Sequence, residues 1–265
     1  MIARATNSSR RNYDDGPSLA QHYEGLKADY AAAKPSRFKR VRYGLLPYGS
    51  NADWHTRVDV DYYRIMEQVR DMDRNDVVIG QLVTRACVNT LQEGLTLDPQ
   101  TGDAELDADL RGRWSDWAAD PDQCDVRGEL TFAQQEFLVL RQTLVDGDTL
   151  ALLLKTGQIQ LVEAHRLRKP LATKRNCVHG VLLDDNRKPL EYWLTKDEVN
   201  PLRSVNLVSD IRPYPARDAD GNRIVCHVLD PTRVTQTRGF SALTPCIDAA
   251  GMFEDLNFAN LVKAQ

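Results

Sequence analysis

Several common signatures are missing from this 265-residue chain. Positive charge is not in excess: 34 Lys and Arg stand against 38 Asp and Glu, a formal net charge of -4. A surface that grips nucleic acid throughout is thereby excluded, because neutralising phosphates needs a surplus of cations. Cysteines are few, odd in number and unpaired: Cys87, Cys124, Cys177, Cys226 and Cys246 form no C-x-x-C. That argues against a disulfide framework or a zinc ribbon and for free thiols in a reducing compartment. Long apolar runs are also absent. The strongest, LALLL at 150–154, is far too short to span a bilayer, and MIARATNSSRRNYDDGPS at the start holds no apolar segment of a secretory signal. The chain reads as soluble and cytosolic, with no membrane partner.

Motifs of catalysis are missing as well. There is no G-x-x-x-x-G-K-[ST] loop, no G-x-G-x-x-G and no G-x-S-x-G elbow. Two close ligand-type pairs remain, Glu163-Ala-His165 and Cys226-His227, and neither has a third ligand at a recognisable spacing. A hydrogen-bonded histidine is the favoured reading of both. Asp184-Asp185 could hold a divalent cation, but Asp-Asp-Asn-Arg between two apolar runs is what a tight turn demands. The expectation is no catalytic residue, no metal site and no cofactor.

What is present is a 42% hydrophobic, 27% charged chain, ordinary for a globular protein with one or two domains. Residues 1–17 are polar, and disorder or an arm is expected; a helix is predicted over 18–33. The stretch 34–54 is basic, aromatic and broken by Pro35, Gly44, Pro47 and Gly49. Lys34, Arg37, Lys39, Arg40 and Arg42 make it a candidate contact arm, for phosphates or, preferred in an acidic chain, for a protein surface.

Helical periodicity follows. Thr56 heads a stripe of Val58, Tyr62, Ile65, Met66, Val69 and Met72, and Asp76 heads another of Ile79, Leu82, Val83, Ala86, Cys87 and Leu91, ended by Gly94. Leu95–Leu97 reads as a short strand. A third helix carries Leu106, Leu110, Trp114 and Trp117, whose i, i+3 tryptophans read as core packing. A fourth opens on the capping box Thr131-x-x-Gln134 and runs to Gly147. The period then drops to two. Thr149–Leu154 and Gln158–Val162 flank Thr156-Gly157 as one hairpin, and Val178–Leu183 with Leu190–Thr195 form another. Residues 210–222 read as a Pro-rich loop, followed by a strand at Ile224–Leu229. Helices first and antiparallel strands later make an α+β fold.

The last stretch, RGFSALTPCIDAAGMFEDLNFANLVKAQ, reads as a helix capped by Ser241 or by Thr244 with Pro245 at its first position. From Ser241 to Gln265 it would run roughly 37 Å. Leu243, Cys246, Ile247, Ala250, Phe253, Phe258 and Leu261 share one face. Asp248 and Asp255 share the other with Met252, Leu256 and Ala259. Apolar groups on both sides call for two neighbours, which a ring of identical subunits supplies through heterologous contacts.

A family resemblance rests on ordered stretches: NTLQEGLTLDP (89–99), WSDWAADPDQCDVRGELTFAQQ (114–135), LVDGDTLALLL (144–154), GQIQLVEAHRLRKP (157–170), HGVLLDDNRKPLEYWL (179–194) and CHVLDPTRVTQTRGFSALTP (226–245). In their order and spacing these resemble the portal proteins of lambda-type tailed phages, over most of residues 18–265. Portal chains of that family continue further, so the sequence resembles an amino-terminal portion cut within a stem helix.

The resemblance implies an amino-terminal arm at 1–54, a wing domain of helices and antiparallel strands at 55–235, and the start of a stem helix at 236–265. It implies a homododecameric ring at the head–tail vertex, in the virion and, during assembly, in the host cytoplasm. Its partners would be further copies of itself, the terminase large subunit, capsid and scaffold proteins, head–tail connector proteins and double-stranded DNA passing non-specifically. Asp248 and Asp255 are then candidate lumen residues, since carboxylates repel a sliding duplex where cations would hold it. The competing classes are a metal-dependent phage nuclease using Asp184, Asp185 and Glu163, and a monomeric interaction module.

Overall fold

The structure is a computed structural model that describes residues 62–169, 176–195 and 211–263, and all of these belong to one compact unit. The amino-terminal arm, its helix and the basic residues Lys34, Arg37, Lys39, Arg40 and Arg42 lie outside the described residues.

Helices come first, as the periodicity predicts. Helix α1 (Tyr62–Asn75) buries Tyr62, Met66 and Val69. Helix α2 (Val77–Leu91) starts at Asp76, whose carboxylate accepts hydrogen bonds from the Val78 and Ile79 amides. Its buried stripe is Ile79, Val83 and Cys87, whereas Leu82 and Ala86 of the expected stripe are exposed. Helix α3 (Ala104–Ala119) buries no residue fully. Helix α4 (Pro121–Cys124) is a single turn capped by Asp120. Helix α5 (Phe132–Val145) carries the complete capping box, with Thr131 and Gln134 bonding each other's amides.

The strands form two antiparallel sheets. In the first, β1 (Asp148–Leu153) lies between β2 (Ile159–Glu163) and β7 (Val225–Leu229). In the second the order is β3 (Cys177–Val178), β4 (Val181–Leu183), β5 (Pro189–Leu194) and β6 (Arg212–Pro215). Strand β1 is buried on both faces from Asp148 to Leu152. Alternation explains how: Leu150 and Leu152 enter a core shared with Val181, Leu183, Tyr192 and Leu194 of the second sheet. Thr149, on the opposite face, donates its hydroxyl to the Gln142 side chain of α5. A second core unites Val69, Val83, Cys87 and Val145 with Leu243 from the carboxyl-terminal segment.

Four expectations need correction. Leu95–Leu97 is not a strand; the Leu95 amide donates to the Glu136 carboxylate instead of to a neighbouring strand. The single strand expected at Val178–Leu183 is a hairpin, β3 turning into β4 at His179-Gly180 with Val178 opposite Val181. Both turn residues take positive φ, 43° and 90°, the left-handed pair that two-residue hairpins require. The Pro-rich loop contains β6, in which Pro213 and Pro215 lack N–H donors and are tolerated because the strand is an edge paired only with β5. Trp114 and Trp117 do pack together, with ring centroids 5.1 Å apart and both against Phe132, but as a half-buried surface cluster rather than core. The Trp117 indole N–H donates to the Gly157 carbonyl of the β1–β2 turn.

The carboxyl-terminal helix also starts later than predicted. A 3-10 turn at Thr244–Cys246 leads into α6 (Ile247–Lys263), roughly 26 Å long. Ser241 caps no α-helix; its hydroxyl donates to the Leu144 carbonyl and accepts from the Leu243 amide, which holds the segment against α5.

Thr131→Ala removes one half of the capping box, and about 1 kcal/mol of stability should be lost in urea unfolding, with the slope unchanged.

Candidate functional site

The base of α6 is built around a charge buried in the protein interior. Arg238 and Asp148 are both completely inaccessible to solvent. Arg238 Nε donates to Asp148 Oδ2 at 2.6 Å and Nη2 to Oδ1 at 3.1 Å, a two-pronged pair. The remaining guanidinium donors reach the His179 carbonyl at 2.8 Å and the Ala164 carbonyl at 2.7 Å. Asp148 Oδ2 also accepts from the Gly239 amide at 3.0 Å and lies 2.9 Å from His227 Nε2. Tyr62 donates to Oδ1 at 3.4 Å, and its ring lies 5.0 Å from the Arg238 guanidinium carbon.

Each of these groups arrives on a different element. Asp148 opens β1, Ala164 begins the 3-10 turn after β2, His179 sits in the β3–β4 turn, His227 is on β7 and Tyr62 starts α1. One side chain therefore joins both sheets and the first helix to the residues that precede α6. Burial alone would push the Asp148 carboxyl up; the Arg238 guanidinium and then His227 hold it well below the usual carboxylate range. Burial works against the Arg238 charge too, and Asp148 outweighs it, so Arg238 stays protonated.

Backbone contact tightens the same junction. A Cβ on Gly239 would lie 1.8 Å from the Gly147 carbonyl oxygen, so the chains cross where only glycine fits on either side. Gly147 itself has φ +99°.

Beside this clasp lies a second network. Arg70 grips Asp146 through two 2.6 Å bonds, reaches Glu163 at 2.9 Å and touches His165 Nδ1 at 3.3 Å. Glu163 and His165 are 3.0 Å apart, so the pair singled out in the sequence is spent on an ion-pair network. They do not share a strand face: Glu163 ends β2 and His165 is in the following 3-10 turn. The hydrogen bond from His165, with Arg70 behind it, pulls the Glu163 carboxyl down to about 2, while burial pushes Asp146 up against the pull of Arg70.

Asp184 serves its turn, accepting from the Asn186 and Lys188 amides. Among the described residues no three His, Cys, Asp or Glu side chains gather as a metal site. Asp248 and Asp255 both lie on α6, and Asp255 is exposed.

Beyond the clasp α6 leaves its own chain. Ile247 still packs on the helical core, but Met252, Phe253, Leu256, Phe258, Leu261 and Val262 are 54–70% exposed. Such a concentration of large apolar groups on one helix exceeds the scattered exposure of an ordinary surface.

Sequence reasoning quoted the stretches that hold Asp148, Ala164, His179, His227 and Arg238 without joining them. The available signal was Gly-Asp at the start of a strand with no other charge, and Arg-Gly just before a helix.

A family model described as phage portal protein, lambda family, matches residues 48–265. No curated protein matches. Among solved structures, a chain from the neck of an empty GTA particle, computed with C6 symmetry, is similar with a TM-score of 0.44 and 13% identity. The match covers 77% of this chain and 45% of the length of that one.

Arg238→Met strands a buried carboxylate and should cost about 3–5 kcal/mol in urea unfolding, while adding Asp148→Leu should recover most of the loss. Acid unfolding should report the second network. Glu163 has a depressed folded pKa, so its contribution is present above about 4.3, its unfolded value, and fades as pH falls towards 2. Glu163→Gln should flatten the fall in stability across that window relative to the parent chain.

Proposed function

Because the chain belongs to the lambda family of phage portal proteins, we propose that it is one subunit of a homo-oligomeric ring at the head–tail vertex, through which DNA is packaged and later ejected. The observation that carries this reading is α6. It is held rigidly at its base and bare on both flanks, with Phe253, Phe258 and Leu261 on one side and Met252 and Leu256 on the other. A helix that buries almost nothing within its own chain gains stability by packing between two copies of itself, one on each flank.

In this reading residues 55–235 are the wing and 236–265 the first part of the stem, each stem helix one wall element of the channel. Twelve copies are the family expectation. The ring nucleates procapsid assembly with capsid and scaffold proteins, docks the terminase large subunit during packaging and then carries head–tail connector proteins. Its work is steric and electrostatic rather than catalytic. Asp248 and Asp255 line the lumen, where carboxylates leave a duplex free to slide. Lys34, Arg37, Lys39, Arg40 and Arg42 form an arm that meets a neighbouring subunit or a capsid protein. No observation favours the nuclease alternative, since Asp184 serves its turn and Glu163 its ion pairs.

Negative-stain images and mass photometry of the gene product should show closed rings with a central channel; a monodisperse monomer at every concentration would overturn the proposal. Phe253→Asp with Phe258→Asp should abolish rings yet leave thermal unfolding within about 0.5 kcal/mol, because both side chains are exposed in the single chain. Asp248→Lys with Asp255→Lys should leave rings intact and lower the DNA content of particles assembled with them; unchanged DNA content would remove the lumen assignment.

A further inference from the structure

A cleft of about 310 Å³ opens between the β4–β5 turn, the loop between β6 and β7, and the segment that leads to Arg238. Its rim carries four cations, Arg187, Lys188, Arg217 and Arg223, and no carboxylate lines it. In a chain with more acidic than basic residues, that segregation of charge is a feature in itself. The floor is apolar: Leu183, Ala216 and Val225 belong to the core between the two sheets.

Two carboxylates in the flanking turns are engaged by backbone amides and do not line the cleft. Asp184 bonds the amides of its own turn, and Asp218 accepts from the Asp220 and Asn222 amides and from the Asn222 side chain. Among the described residues, Lys188, Arg217 and Arg223 take part in no ion pair. Arg187 is anchored instead, donating to the Thr235 carbonyl and to the Thr237 hydroxyl, so it stiffens one wall. Uncompensated cations around an apolar floor attract an anion that also brings apolar surface.

We infer that this cleft is a binding site for an acidic peptide segment of a partner protein, with an apolar side chain on the floor and carboxylates at Lys188, Arg217 and Arg223. Duplex DNA fits it poorly. Phosphates of a duplex are met by cations standing out on a ridge or groove that follows the backbone. A concave site at the small end of the range for bound ligands, floored by Leu and Val, offers a duplex no such track. The inference goes beyond the portal reading and does not depend on ring formation. It predicts a second, separate contact surface on the wing, next to the clasp, since His227 lines the cleft and also bonds Asp148.

A displayed library of random ten-residue peptides, selected on the intact protein in low salt, tests this. The expected result is at least about tenfold enrichment of peptides in which two or more Asp or Glu flank a large apolar residue. That binding should weaken with added NaCl and fall at least about tenfold against Arg217→Glu with Arg223→Glu, both exposed residues whose replacement leaves the core untouched. Selected peptides without acidic residues, or acidic peptides that bind the double variant equally well, would overturn the inference. So would a 20-base-pair duplex that binds through Arg217 and Arg223 more tightly than any selected peptide.

Discussion

The buried pair of Arg238 and Asp148 is the constraint on which the rest of the molecule depends. Removing two charges from water costs several kcal/mol for each, and is tolerated only when every donor and acceptor finds a partner. Here the conditions are met. The guanidinium divides its donors between one carboxylate and two carbonyls, and the carboxylate takes up Arg238, the Gly239 amide and His227. Such a pair contributes little net stability compared with a well-packed apolar substitute. What it contributes is geometry, because the bonds are satisfied only when five segments distant in sequence arrive together. A hydrophobic filler would accept many arrangements of β1, β7, the β3–β4 turn and the residues before α6; a forked guanidinium accepts few.

That selectivity suits the junction. Gly147 and Gly239 cross in direct backbone contact, Ser241 bonds the last turn of α5, and Leu243 enters the helical core. The segment from Arg238 to Leu243 is therefore held by ion pair, backbone contact, hydroxyl and apolar burial in succession. Arg70 extends the same bracing to the outside, linking α1 to Asp146 just ahead of β1 and to Glu163 at the end of β2. Asp146 and Asp148 flank Gly147, so two arginines far apart in sequence, Arg70 and Arg238, clamp three consecutive residues.

Much of this fold was legible in the sequence, and the failures share a cause. Helices α1, α2 and α5 follow from apolar spacing and from Asp76 and Thr131 as caps, because those signals are local. The hairpin of β1 and β2 follows from alternation around Thr156-Gly157. Strand β6 was missed because Arg-Pro-Tyr-Pro has no strand signature; its pairing with β5 at an edge makes it a strand. The His179-Gly180 turn was missed because a histidine in the left-handed region is held there by its surroundings, with its carbonyl bound to Arg238. The clasp and the basic cleft were invisible for the same reason. The clasp collects residues from five separate segments and the cleft joins 183–192 to 216–237, and no spacing along one segment encodes such a meeting. The stretches that carry the family resemblance contain Asp148, Ala164, His179, His227 and Arg238 of the clasp.

The exposed helix explains why the junction is so heavily braced. Past Ala250, α6 receives no direction from its own chain, since every described side chain there is exposed. Its heading is set at the base, and errors at the base grow with distance: a tilt of about 10° displaces the far end of a roughly 26 Å helix by about 4.5 Å. Apolar side chains are in contact only within about 4–4.5 Å, so a swing of that size is enough to miss a neighbouring helix. A lone helix hung on a flexible link would have to freeze its orientation on meeting a partner, at a cost in entropy that weakens association. A base locked by a satisfied buried charge would lower that cost for the packing between copies proposed above. The physical logic thus runs from one interior arginine to the outermost apolar surface. The buried charge fixes the segment from which α6 departs, and the packing between copies proposed for its bare flanks depends on that heading.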